Sequence, residues 1–171
     1  MALRNIVTVG DPVLTKHCRP YTEFGPRLHE LLDDMRQTLI QADGVGLAAP
    51  QVGVLRRVVL VIETNHAEDE PDTILELVNP EIIATEGTQT GTEGCLSIPG
   101  ECGIVTRPMV VTVRAQDRNG NFFEYTGEGL TARCFCHELD HLDGVLYPDR
   151  ADRMLDEDEL EAMEADEGDE A

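Results

Sequence analysis

The stretch CFCHELDHLDG, residues 134–144, constrains this chain more than any other. It sets His137 and His141 four positions apart, with Glu138 directly after the first. On a helix, side chains four apart stand one above the other, so both imidazoles face a single ion. Glu138 then flanks that ion, where a carboxylate serves as general base toward water held there. The bland alternative is a surface helix whose histidines pair with neighbouring acids.

Two imidazoles are too few, because a catalytic site of this kind takes three protein ligands and leaves one position open. No histidine follows His141, so the third donor is a carboxylate, the acidic tail's included, or one of five cysteines. Cys134 shares the histidine face, but three donors from one straight helix reach the ion from a single side, which tetrahedral geometry resists. Cys134 is therefore read as wall beside the metal, and Cys136, on another face, as core packing. Cys18 and Cys102 have no ligand pattern near them and are read as structural thiols. Cys95 sits in TEGCLSIPG at the start of a rigid turn, where Gly94 permits close backbone approach. It is the favoured third donor.

Around these residues the periodicity predicts an α+β domain: mostly antiparallel strands, one N-terminal helix and the C-terminal HExxH helix. Residues 26–42 place Leu28, Leu31, Leu32, Met35 and Leu39 on one stripe, with Pro26 in the first turn and Asp43-Gly44 as the stop. The small-residue run GVGLAAPQVG, 44–53, precedes a strand at 57–62, and 63–73 reads as an exposed loop. Short strands are expected at 75–79 and 82–85, separated by Asn-Pro. A single strand is expected over 104–117, with Pro108 at an edge or bulge, then a hairpin at Asn119-Gly120 into 122–126. The second helix runs from near Gly129 to near Gly144.

A length of 171 residues suits one domain with one sizeable core, expected over 1–152. With aromatics at 4%, that core rests on Leu, Val and Ile. No apolar run nears the roughly 18–20 residues that span a bilayer. MALRNIVTVGDPVL has neither a continuous apolar block nor a cleavage site, so no membrane is expected and the cytoplasm is the default compartment. An odd number of irregularly spaced cysteines in such a chain argues against a disulfide framework. Of 34 acidic side chains, 10 lie in residues 156–171, which hold no Lys or Arg. The tail, 153–171, is thus a self-repelling segment, helical or disordered, whose plainest use is solubility. The net charge of −21 excludes a broad basic face, so direct nucleic-acid binding is not expected.

Three segments, GVGLAAPQ (44–51), EGCLS (93–97) and HELDHLDG (137–144), together resemble the signature segments of the peptide deformylases, in the same order and spacing. The likeness runs from about residue 4 to about residue 150. It implies removal of the formyl group from N-formylmethionine at the start of new polypeptides, with release of formate. It also implies Cys95, His137 and His141 as ligands of one divalent ion, Fe2+ by preference, with Zn2+, Ni2+ or Co2+ able to substitute. By the same resemblance Glu138 is the general acid/base, and Gln51 with the backbone N–H of Leu96 polarises the formyl oxygen. Val45, Gly46 and Cys134 would receive the methionine side chain and peptide backbone, and Glu93 would orient His137. The implied partner is the formylated N-terminus of a nascent peptide, met by a monomer in transient proximity to the ribosome. Two departures stand out: Cys136 occupies a position where the family usually has Gln, and the tail is acidic where some members carry a basic C-terminal helix held to contact the ribosome.

Two rivals share these residues. A thiol protease built on Cys95 and His137 leaves Glu138 and His141 without roles and survives chelation. A structural metal site closed by a fourth ligand such as Cys134 has no use for Gln51 or Glu138.

Overall fold

The computed structural model describes residues 2–64 and 69–169. Eight strands and three α-helices follow in the order α1 (Pro26–Ala42), β1 (Gly46–Ala48), β2 (Val58–Glu63), β3 (Thr73–Glu86), β4 (Gln89–Cys95), β5 (Ile98–Arg107), β6 (Val110–Gln116), β7 (Phe122–Glu128), α2 (Leu130–Leu142), β8 (Arg153–Met154) and α3 (Glu157–Asp169). One sheet is ordered β1-β2-β3-β6-β7 and the other β4-β5-β8, with every pairing antiparallel.

The apolar run VVLVIE in β2 shows how the layers assemble. Successive strand residues point to opposite faces. Val59 and Val61 pack with Phe135, Leu139 and Leu142 of α2, whereas Val58 and Leu60 pack with Leu28, Leu32, Met35 and Leu39 of α1. The two helices therefore cover opposite faces of the five-stranded sheet, and β2 is buried on both. Each fully buried leucine of the α1 stripe contributes about 2 kcal/mol. α1 begins at Pro26 and is capped at its end by Asp43, whose backbone is left-handed. A third cluster, Leu14, Ile98, Val105, Leu146 and Tyr147, joins the small sheet to the chain beyond α2. Cys18 and Cys136 are core thiols.

Two sequence expectations need correction, and one strand was not anticipated. The strands at 75–79 and 82–85 are one strand, β3. Asn79 takes a left-handed conformation at a register shift instead of ending the strand. Its side chain bridges Tyr21 N–H and C=O at 2.8 and 2.9 Å and donates to Gln116 at 2.9 Å, which stabilises the bulge. The strand expected over 104–117 is two strands in different sheets: β5 ends at Arg107 and β6 starts at Val110. Pro108 cannot donate to a ladder, so pairing breaks there although the side-chain alternation continues. Finally, β4 carries almost no apolar residues and gave no period to find; its partner β5 defines it.

The hairpin at Asn119-Gly120 forms as expected. Asp117 accepts from the N–H groups of Asn119 and Asn121, and Gly120 supplies a positive φ of 87°. β8 pairs with β5, and the acidic tail beyond it is helical in α3. Asp156 and Glu159 form a reciprocal cap at its start, and Glu159 takes a bidentate bond from Arg153. No helix among the described residues is long and apolar enough to cross a membrane.

Candidate active site

The site forms where α2 passes beneath β1 and meets the turn between β4 and β5. Cys95 ends β4, and His137, Glu138 and His141 come from one face of α2. The donor atoms of Cys95, His137 and His141 lie within 4.8 Å of one another, with Cys95 Sγ 3.4 Å from His141 Nε2. They are the only such group of metal-capable donors among the described residues. A thiolate and two imidazoles within that span fit one divalent ion with a position left open. Cys134 lies outside the group. Burial pushes its thiol up to about 12, which suits a wall and not a ligand.

His137 is held from behind. Glu93 accepts from its Nδ1 at 2.8 Å, leaving Nε2 to face the ligand space. Its ring stacks on buried Tyr147, with centroids 5.9 Å apart and planes 24° apart. Burial lowers the proton affinity of His137, but Cys95 and Glu93 outweigh it and raise its pKa to about 10; this anionic surround favours a cation. His141 goes the other way, lowered to about 3 first by burial and then by His137, so it stays neutral and able to ligate an ion.

Glu93 anchors a network that spacing along the chain does not reveal. Arg107 grips it with Nε and Nη2 at 2.8 and 2.9 Å, and Arg133 Nη1 reaches it at 2.7 Å. Arg107 also binds Asp140 at 2.8 Å. Burial raises the Glu93 carboxyl, yet bonds from Arg107 and His137 dominate and hold it at about 2. Glu93, Arg107 and Arg133 are all buried. Glu93→Gln leaves two buried guanidinium groups short of an anion, so a loss of about 3–5 kcal/mol is expected on urea unfolding of the metal-free protein. Metal affinity should also fall by about 10–100-fold through the freed His137. Unchanged unfolding and affinity together would show that the arginines are satisfied elsewhere.

Glu138 is buried, and burial raises its carboxyl to about 7, opposed by His137. Among the described residues its Oε1 has no hydrogen-bond partner, and it lies 3.9 Å from His141 Nε2. Gly46 lies against it, and a Cβ built at Gly46 would stand 2.5 Å from Glu138 Oε2, so only glycine lets β1 pass this close. Gln51, on the short 3-10 turn Ala49–Val52 that follows β1, donates to Cys95 Sγ at 3.5 Å.

These residues open into a cavity of about 550 Å³ lined by Val45, Gly46, Gln51, Cys95, Leu96, Cys134, His137 and Glu138, every one of them singled out from the sequence. Leu130 and Arg133 also line it and were not anticipated. Arg133 had a detectable signal, since it stands four before His137 on the same helix face. Arg107 had none.

Known proteins agree with this geometry. The family described as polypeptide deformylase matches residues 3–157. The peptide deformylase of Caldanaerobacter subterraneus is 52% identical over 163 residues, covering 95% of this chain and 98% of that protein. The crystal structure of peptide deformylase from Thermotoga maritima superposes with a TM-score of 0.82 at 38% identity, covering 88% of this chain and 99% of that one. A class I type b peptide deformylase from Acinetobacter baumannii, bound to Met-Ala-Ser, superposes at 0.79 with 34% identity over 86% of this chain and 98% of its own. The family match, residues 3–157, takes in the β4–β5 turn and α2. With these relatives it shows that the chain belongs to the peptide deformylase family.

Proposed function

We infer that this protein removes the N-formyl group from formyl-methionine at the start of new polypeptides, releasing formate and a free amine. One observation carries the reading: Cys95, His137 and His141 converge within 4.8 Å, beside a buried Glu138 that has an unpartnered oxygen. Cys95, His137 and His141 would hold one divalent ion, and of the iron, zinc, nickel and cobalt that a thiolate and two imidazoles accept we take ferrous iron, which the resemblance implies. When bound, the ion supplies Lewis-acid chemistry, making water acidic enough to react near neutrality and drawing charge from a carbonyl.

The chain's own residues supply the rest. Glu138 accepts the proton that water gives up on attacking the formyl carbon, then delivers it to the amine nitrogen as the C–N bond breaks. The Gln51 amide and the Leu96 N–H donate to the formyl oxygen as it gains charge. Glu93 keeps His137 in the tautomer and orientation that a ligand needs. Gly46 admits the peptide backbone, and Val45 and Cys134 bound the space for the methionine side chain. β1 ends the five-stranded sheet and, among the described residues, pairs only with β2, which supports an extended peptide adding along its other edge. The Met-Ala-Ser bound to the Acinetobacter baumannii relative supports a peptide that begins with methionine as the ligand class.

Formate release from a short formyl-methionine peptide, followed anaerobically with and without chelator, tests the reading. Turnover should disappear with the chelator and return when Fe2+ is added back. A rate untouched by chelation would point instead to a hydrolase using the Cys95 thiol as nucleophile.

A further inference from the structure

We propose that Ser97 is a positioning residue for this reaction, acting through the side-chain amide of Gln51. The inference rests on the reading of Gln51 as a donor to the formyl oxygen. A terminal amide torsion is broad and roughly two-fold, so packing alone holds it poorly. Hydrogen bonds settle it here. Ala48 N–H can only donate, and it lies 2.9 Å from Gln51 Oε1, so the NH₂ must face the other way. There it finds Ser97 Oγ at 3.1 Å and Cys95 Sγ at 3.5 Å. Ser97 is 0% exposed and Gln51 1%, so no solvent replaces a lost bond.

The two residues come from separate elements, the 3-10 turn after β1 and the β4–β5 turn. The N-terminal segment straps these together: Val7 N–H donates to Gln51 C=O and Val9 N–H to Ser97 C=O, each at 2.8 Å. With the backbones tied, the Ser97 hydroxyl takes one N–H of the amide and holds the other toward Cys95 Sγ, at the ligand space where an incoming formyl oxygen would compete for it. Without the hydroxyl, a buried N–H loses its acceptor and the amide rotates to find another.

Ser97→Thr and Ser97→Val compare side chains of similar volume that differ in the hydroxyl. In the metal-loaded enzyme the Val variant should lose roughly 10–100-fold in kcat with KM little changed, while Thr stays near the parent. Gln51→Ala should lose about 10²–10³-fold, and adding Ser97→Val to it should cost nothing more, because both changes remove one device. In cobalt-loaded protein, the sulfur-to-metal charge-transfer band reports the N–H donated to Cys95; it should shift in the Val variant and not in Thr. Equal behaviour of Thr and Val, or a full added penalty on top of an impaired Gln51→Ala, overturns the inference alone. A fully active Gln51→Ala overturns the reading of Gln51 and the inference with it.

Discussion

Glu138→Gln is expected to keep its metal and to lose turnover by about 10²–10⁴-fold, the range that a positioned proton carrier contributes. The substitution replaces one carboxylate oxygen with NH₂ and leaves Cys95, His137 and His141 untouched. Shape is therefore preserved while the ability to take and return a proton is lost. The buried position sharpens the effect. Among the described residues Glu138 Oε1 accepts no hydrogen bond, and its neighbour His141 Nε2, at 3.9 Å, belongs to a proposed metal ligand. Metal content of the purified variant and its single-turnover rate on a formyl-methionine peptide are the measurements. Full metal with near-parent turnover would remove Glu138 from the chemistry, and loss of metal would show that its charge helps hold the ion.

Cys95→Ala should lose both the ion and the activity. Two imidazoles from one helix remain, and they approach from one side only. Changing an outer group that merely orients a ligand typically costs 10–100-fold in metal affinity, so losing a ligand should exceed about 100-fold. Cys134 is a poor substitute, since its thiol is held protonated by burial and it stands outside the donor cluster. Equilibrium dialysis of the variant against Fe2+ or Co2+, beside formate release, measures both losses. If the ion stays at full occupancy, another group has taken up the ligand duty assigned to Cys95.

Much of this was legible along the chain, for local reasons. The α1 stripe, the hairpin at Asn119-Gly120 and the histidine pair on α2 each depend on residues within a turn or two of one another, where spacing translates directly into a shared face. Asn79-Pro80 misled because Asn-Pro ordinarily marks a turn; its bonds to Tyr21 and Gln116, which keep β3 continuous, come from residues far away in sequence. Likewise Pro108 marked an irregularity but not a change of sheet. The composition of β4 is that of a loop, and only its ladder with β5 makes it a strand.

At the site the division is similar. The proposed donors, the proposed proton carrier and the narrow glycine passage could be named from motif spacing and from the likeness to a known family. Their support could not. Arg107 and Arg133 meet at Glu93 across 14 and 40 residues, and Ser97 reaches Gln51 across 46. The sequence by itself determined which side chains are able to bind an ion, because ligand chemistry belongs to residue type and helix spacing is local. Tertiary structure alone decided that a sulfur from the β4–β5 turn and two rings from α2 share one small volume, and that buried charges and a buried hydroxyl hold them there. Burial and long-range pairing depend on where the whole chain goes, which no short segment encodes.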